Sequence, residues 1–483
     1  MVVLIDEKLL DDRLTALEKS HAFSPRVVAK IETHLRNSDD AGLFRINPLR
    51  FAADRGIVEA EAIDLFLHAT KAGLFTMNWG VICPNCGDIV QSFASLGSVE
   101  SHFECRLCAV ETAVNLDDYI CVSFDVAAAI RPNKFFEPEN LSIADYLGTY
   151  RFGHSGTTED GKPFRDYMSQ YICFAEYVGP DAPQEFTVDL APGTVRLFDF
   201  TNQAGLSIPI VADPERQGGD LLIDFAHENK PKTETATLFA GKNTLKVVPG
   251  PFRRIVAAYN FPQNFQRPKR ILEPALTGKR LFASSTFRDL FRNEKIEATD
   301  GISIRELTIL FTDLKGSTEL YDRVGDLRAF QLVSQHFDAV GRIIHQHGGA
   351  IVKTIGDAVM ANFMTPLDAV RAATGMLDVI AAFNRELHRN EIILKIGVHT
   401  GAAIAVTQND RLDYFGQTVN VAARVQGLAE AEEICITSDV EAAPGVRELI
   451  SGLKVQEERP QLKGVKDRML IHRLRYREMS KAA

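Results

Sequence analysis

Apolar residues recur every three to four positions through residues 1 to about 75, in segments such as VVAKIETHL and EAEAIDLFLHATKAG, a spacing that predicts packed helices. Gly73 ends the last of them. Between about 119 and 265 the pattern shortens to β-rich runs, including YICVSFDV, EFTVDL, TVRLFDF and RRIVAAYNF, separated by Pro-Gly, Gly-Gly and Asp-Gly. That rhythm predicts a β-sandwich-like or jelly-roll-like domain. After residue 305 the order becomes strand, helix, strand, strand, helix, strand, the ferredoxin-like split βαβ pattern. Leu320, Val324, Leu327, Phe330, Val333, Phe337, Val340 and Ile344 follow helical spacing and are expected to face its core.

These periodicities divide a multidomain α+β chain. Residues 1–82 form a helical, winged-helix-like start, 83–118 a zinc-ribbon-like module, and 119–265 the β-rich domain. Residues 266–304 read as a linker with a transducer helix from about 277 to 296, and 305–477 as the last domain. In the winged-helix-like part, Glu59, Glu61 and Asp64 sit on the would-be reading helix and would repel phosphates, which favours helix packing or subunit contact over DNA binding.

Composition narrows the classes. The 483 residues are 45% hydrophobic and carry 54 basic and 64 acidic side chains, a net charge of −10. That balance suits a globular protein and opposes broad nucleic-acid binding. No apolar run is long enough for a spanning helix, and the start turns acidic before a signal-peptide core develops, so the expectation is a cytoplasmic protein without membrane contact. Cys121, Cys173 and Cys435 are scattered in apolar contexts, unlike a disulfide framework. His154 and His227 are isolated and read as structural or surface histidines.

The other four cysteines form two C-x-x-C knuckles, Cys83/Cys86 and Cys105/Cys108, 18 residues apart. Each knuckle offers two thiolates from one turn, and four soft ligands close a tetrahedral shell, so the spacing predicts a structural Zn²⁺ site. Such a shell has no open position and serves folding rather than catalysis. His102 is a spare ligand of lower rank.

In the last domain Asp313 ends the first strand and Asp357 lies in a hairpin turn, Ile-Gly-Asp. The fold makes the two strands neighbours, and paired carboxylates hold divalent metals against phosphate oxygens. Gly316 allows close backbone approach, and the amides of Gly316, Ser317 and Thr318 open a helix suited to a triphosphate. No Walker A sequence is present.

Five ordered motifs, FTDLKGST, VKTIGDAVMA, IGVHTG, DYFGQTVNVAAR and LKGV, make residues 305 to about 475 resemble the class III nucleotidyl cyclases. The resemblance implies that Asp313 and Asp357, assisted by the Leu314 carbonyl, bind two Mg²⁺ or Mn²⁺ ions. Lys353 and Asp413 match the purine-reading pair. An ammonium that donates to ring N1 and a carboxylate that accepts from the exocyclic amine suit adenine, whereas guanylyl members typically place Glu and Cys or similar there. Asn420 and Arg424, four apart on one helical face, match the residues that position the ribose and stabilise the transition state at the α-phosphate. Lys463 matches the lysine on the terminal phosphates.

The implied activity is an adenylate cyclase acting on ATP as a homodimer with two sites between protomers, since the chain carries both halves of the residue set. The front half is then expected to be regulatory, answering an unknown ligand or protein. The competing readings are a guanylate cyclase, a catalytically silent nucleotide-binding regulator, and a zinc-ribbon adaptor with an accessory cyclase domain.

Overall fold

The structure is a computed structural model that describes residues 5–100, 102–105, 110–153, 156–180, 182–201, 204–224, 232–233, 237–248, 253–297, 301–387, 391–465 and 467–475. Cys108, His154 and His227 lie outside these residues.

Four helices, Glu7–Ser20, Pro25–Asn37, Pro48–Arg55 and Glu59–Lys71, cover a four-stranded sheet. Its order is Leu276–Thr277, Ile120–Val126, Phe75–Ile82, Ile89–Phe93. Strand Phe75–Ile82, which in a winged-helix-like start would form the wing, is therefore an inner strand with a neighbour on each side. YICVSFDV, expected to open the β-rich domain, pairs with it instead. Trp79, Phe66, Phe75 and Phe124 are fully buried beneath the helices. Helix Glu59–Lys71 buries Ala62, Ile63, Leu65 and Phe66. Glu59 at its start is exposed and accepts a hydrogen bond from Arg280 at 2.5 Å.

Further along, a five-stranded sheet (Leu238–Phe239, Ala204–Val211, Gly193–Asp199, Arg254–Pro262, Ile172–Val178) and a four-stranded sheet (Lys232–Thr233, Gly219–Asp224, Gly241–Val248, Gln184–Leu190) share one core. Alternating residues such as Val195, Leu197, Leu245 and Val247 point into it, as half-buried strands require.

Residues 266–304 differ from a free linker. Arg270–Ile271 pairs with Thr157–Thr158, and Leu276–Thr277 joins the first sheet. The single helix expected over 277–296 is two short ones, Gly278–Phe282 and Ser285–Leu290. The break has a local cause: the Ser284 hydroxyl accepts from the Phe287 amide at 3.2 Å and caps a new helix.

The C-terminal sheet runs Ala350–Ile355, Ala358–Phe363, Ile302–Leu314, Leu394–Gln408, Glu433–Thr437, Ile471–Arg475, Lys454–Glu458, with Arg411–Phe415 pairing onto Leu394–Gln408. The first four strands in this order carry the split βαβ pairing. Helices Asp326–Gln346 and Pro366–Glu386 cover one face. The opposite face, with Ile309, Phe311, Met360 and Tyr414, packs into the same apolar cluster as Trp79, Phe282, Phe287 and Phe291 from the front of the chain.

Two of the residues assigned to the core of this domain are not in it. Leu327 is 76% and Phe330 65% exposed. Gly325, at φ +79°, ends helix Ser317–Val324 and starts a second one. The helical phase resets there, so the second helix buries Ala329, Leu332 and His336 together with the expected Val333, Val340 and Ile344.

Candidate functional site

Antiparallel pairing sets the two acids. Thr312 lies opposite Val359, so continuing the register puts Asp357 across from Leu314, one residue from Asp313. Asp357 is the second residue of a two-residue turn whose first, Gly356, takes φ +62°, the geometry that glycine allows in a tight hairpin. One oxygen of Asp357, Oδ2, is buried without a hydrogen-bond partner. Asp313 Oδ2 instead meets Lys395 Nζ at 2.6 Å, across the register pair on the other side of the strand. The two carboxylates thus carry a demand for positive charge that Lys395 meets on one side only, and a divalent cation fits the remainder. Leu314 is buried, and Gly316, at φ +73°, turns the chain into helix Ser317–Val324, at whose start Thr318 is exposed.

Lys353 and Asp413 come from an edge strand and a hairpin far apart in sequence, yet Lys353 Nζ donates to Asp413 Oδ2 at 2.5 Å. Asp413 also accepts from the Tyr414 amide through Oδ1 at 2.8 Å. This second bond fixes the carboxylate. Below it, Tyr414 is buried, and burial holds its phenol above the usual range. The Tyr414 hydroxyl accepts from Asn362 at 3.0 Å.

Asn420 and Arg424 stand on helix Gln417–Leu428, whose buried side is Thr418, Val421, Ala422 and Val425. The helix lies against strand Leu394–Gln408 because Gly397 has no side chain: a Cβ there would stand 2.2 Å from the Gln426 amide nitrogen. Leu462 and Val465 pack on Val421 and Val425. They anchor the Leu-Lys-Gly-Val turn, where a Cβ on Gly464 would be 3.3 Å from the Arg424 guanidinium. Lys463, exposed, is carried beside Arg424 by that turn. Among the described residues no hydrogen bond or ion pair joins Asp313 or Asp357 to Lys353, Asp413, Asn420 or Arg424.

Two side chains in contact with these residues were not picked out in the sequence. Lys395 is a lone cation in the apolar strand LKIGV, opposite FTD once the register is known. Arg288, in the second linker helix, donates to the Leu412 carbonyl at 3.0 Å and the Phe282 carbonyl at 2.9 Å, with its guanidinium 5.3 Å from the Tyr414 ring centre. Sequence offers no sign of that long-range contact.

In the front half, the ligand atoms of Cys83, Cys86 and Cys105 lie within 4.8 Å of one another and all three residues are buried. Gly87, at φ +71°, donates its amide to the Cys83 carbonyl at 2.9 Å and closes the first knuckle. This soft, convergent donor set fits a thiophilic ion such as zinc. The scattered thiols do other work: Cys121 donates to the Gly80 carbonyl and Cys173 to the Ala258 carbonyl.

Residues 10–289 match the Family of unknown function (DUF5939), and residues 301–475 match the Adenylate and Guanylate cyclase catalytic domain. An adenylate cyclase of Anabaena cylindrica is 30% identical over 174 residues, 33% of this chain and 35% of that protein. The atrial natriuretic peptide receptor 2 of Homo sapiens is 28% identical over 193 residues, 38% of this chain and 18% of the receptor. The chain therefore spans only a minor part of these relatives. Among solved structures, the adenylyl cyclase CyaB of P. aeruginosa aligns with a TM-score of 0.33 at 21% identity, covering 37% of this chain and 97% of that one. No described helix is long and apolar enough to cross a membrane. The chain belongs to the DUF5939 family over residues 10–289, and residues 301–475 are a class III adenylate and guanylate cyclase catalytic domain.

Proposed function

We propose that this domain is an adenylate cyclase that converts ATP to 3′,5′-cyclic AMP and pyrophosphate. The observation that carries the choice of purine is the Lys353–Asp413 pair, a donor and an acceptor held 2.5 Å apart. Adenine entering between them takes the ammonium on ring N1 and gives its amine to the carboxylate. Guanine presents an acceptor and a donor the other way round and leaves both groups mispaired, which discriminates strongly in a desolvated site.

Asp313, Asp357 and the Leu314 carbonyl would hold two Mg²⁺ or Mn²⁺ ions, which supply charge neutralisation on the triphosphate and a lowered pKa for the ribose hydroxyl. The amides of Gly316, Ser317 and Thr318 receive phosphate oxygens. Asn420 orients the ribose, the Arg424 fork meets charge at the α-phosphorus, and Lys463 holds the terminal phosphates. The 3′-oxygen attacks in line, passes its proton to solvent water, and forms the new P–O bond as pyrophosphate leaves. Catalysis is mostly positioning and electrostatics.

The chain carries both the metal-binding acids and the purine pair, the two sides of a cleft between protomers in this family, which supports a homodimer whose partner completes each site. Exposed Leu327, Phe330, Ile355 and Phe415 supply apolar surface for it. A three-cysteine cluster completed by Cys108 would hold a structural zinc. The front half would regulate the site through Arg288, which reaches the residue preceding Asp413.

Turnover of ATP and GTP by the full-length protein with Mg²⁺ and then Mn²⁺, with Asp357→Ala as blank, tests the reading. Cyclic AMP formed by the wild type, lost in the variant and exceeding cyclic GMP is the expected result. Preference for GTP overturns the purine assignment, and no product with either metal means either a front half that holds the site off or the silent regulator.

A further inference from the structure

A cavity of about 910 Å³ lies wholly outside the catalytic domain, lined by residues between Cys86 and Arg267. It sits between the outer face of the five-stranded sheet and the segment that carries helix Phe164–Ser169. The sheet wall is aromatic, with Phe200, Tyr259 and Phe261, and Phe164 lies on the helix side; all four are more than nine-tenths buried, and the Tyr259 and Phe261 rings stack at 6.0 Å with an interplanar angle of 5°. A volume of this size accommodates a small molecule, and such walls favour an apolar or aromatic body.

The polar groups at the cavity have one sign to spare. Asp145 is neutralised by Lys134 at 2.7 Å, and Asp166 faces Arg165 at 3.6 Å. Arg267 donates to the Asn85 side chain at 2.6 Å. The Arg196 guanidinium has neither a carboxylate nor a hydrogen-bond partner among the described residues, and it stands 5.7 Å from the Phe261 ring centre, at the edge of the aromatic wall. A planar fork beside an apolar slot is suited to a carboxylate, phosphate or sulfonate head.

We infer that this cavity is a binding site for a small apolar molecule with one anionic head, the body against Phe200, Tyr259 and Phe261 and the head on Arg196. The inference rests on the cavity alone and is independent of the nucleotide assignment. Fluorescence titration of the full-length protein with anilinonaphthalene sulfonate, and with the uncharged N-phenylnaphthylamine, tests it. Expected are saturable sulfonate binding, weakened by about tenfold or more in Arg196→Gln and restored in Arg196→Lys, with the uncharged probe binding both variants alike. Thermal melting of the variants reports folding separately. Competition by naphthoate identifies a rigid aromatic acid, and competition by decanoate an acyl chain; either supports the site. Sulfonate affinity unchanged in Arg196→Gln, or no competition by either acid, overturns it.

Discussion

Arg288 donates to the Leu412 carbonyl at 3.0 Å, so a helix outside the catalytic domain grips the backbone one residue from Asp413. Its Nε bond to the Phe282 carbonyl ties the same side chain to the preceding helix. Arg288→Ala removes both bonds and the cation above Tyr414. The expected result is a several-fold rise in KM for ATP with a smaller change in kcat, and a stability loss of about 1–2 kcal/mol. Michaelis kinetics and a thermal melt check this; unchanged KM would uncouple the helix from purine binding.

Gly397→Ala is expected to push helix Gln417–Leu428 off the sheet, since its methyl group would meet the Gln426 backbone. A loss of about 3 kcal/mol follows from overpacking, and turnover falls with displacement of Asn420 and Arg424. Gly427→Ala is the control: nothing lies within 4 Å of a Cβ there, and the helix gains up to about 1 kcal/mol. Equal melting temperatures for the two variants would contradict the close packing.

The cysteine cluster predicts about one zinc per chain by elemental analysis of protein purified without chelator. Cys83→Ser or prolonged chelation should lower the melting temperature and leave the cyclase motifs chemically intact. Metal-free protein with an unaltered melt would show that packing alone holds the knuckle.

His399 is buried, with Nδ1 2.9 Å from the Thr437 hydroxyl, and desolvation lowers its pKa from 6.5 to about 4. Unfolded, it takes a proton that the folded state refuses. Its contribution is therefore complete above pH 6.5 and lost as pH falls toward 4. Compared with His399→Gln, the wild type should lose about 1 kcal/mol more over the first unit below pH 6.5. Denaturant melts at several pH values measure the difference; parallel curves would mean that His399 is protonated in place.

The fold of the C-terminal domain was legible because its motifs are contiguous and their spacing is set by strand ends and helix turns: Asp313 at the end of a strand, Asp357 in a glycine hairpin, Asn420 and Arg424 one helical turn apart. What was not legible depends on register or on contacts between distant segments. Lys395 needs the pairing with Asp313, and Arg288 needs a fold that brings position 288 to 412. YICVSFDV has the alternation of a strand but nothing in it specifies which sheet it joins. Gly325 was legible as a glycine, not as the point where helical phase restarts, and that misplaced Leu327 and Phe330.

The apolar cluster that runs from Trp79 and Phe287 to Phe311 and Met360 has a consequence for how this chain can be taken apart. The two family matches meet near residue 300, yet among the described residues this one cluster holds side chains from both. Cutting at that point would uncover one face of the catalytic sheet, so an excised fragment would owe its behaviour as much to sticky new surface as to the missing signal. Exchange of the front half for a foreign module would have to preserve the contour of Phe282, Phe287 and Phe291. In this protein the unit of inheritance along the chain and the unit of mechanical integrity are different objects.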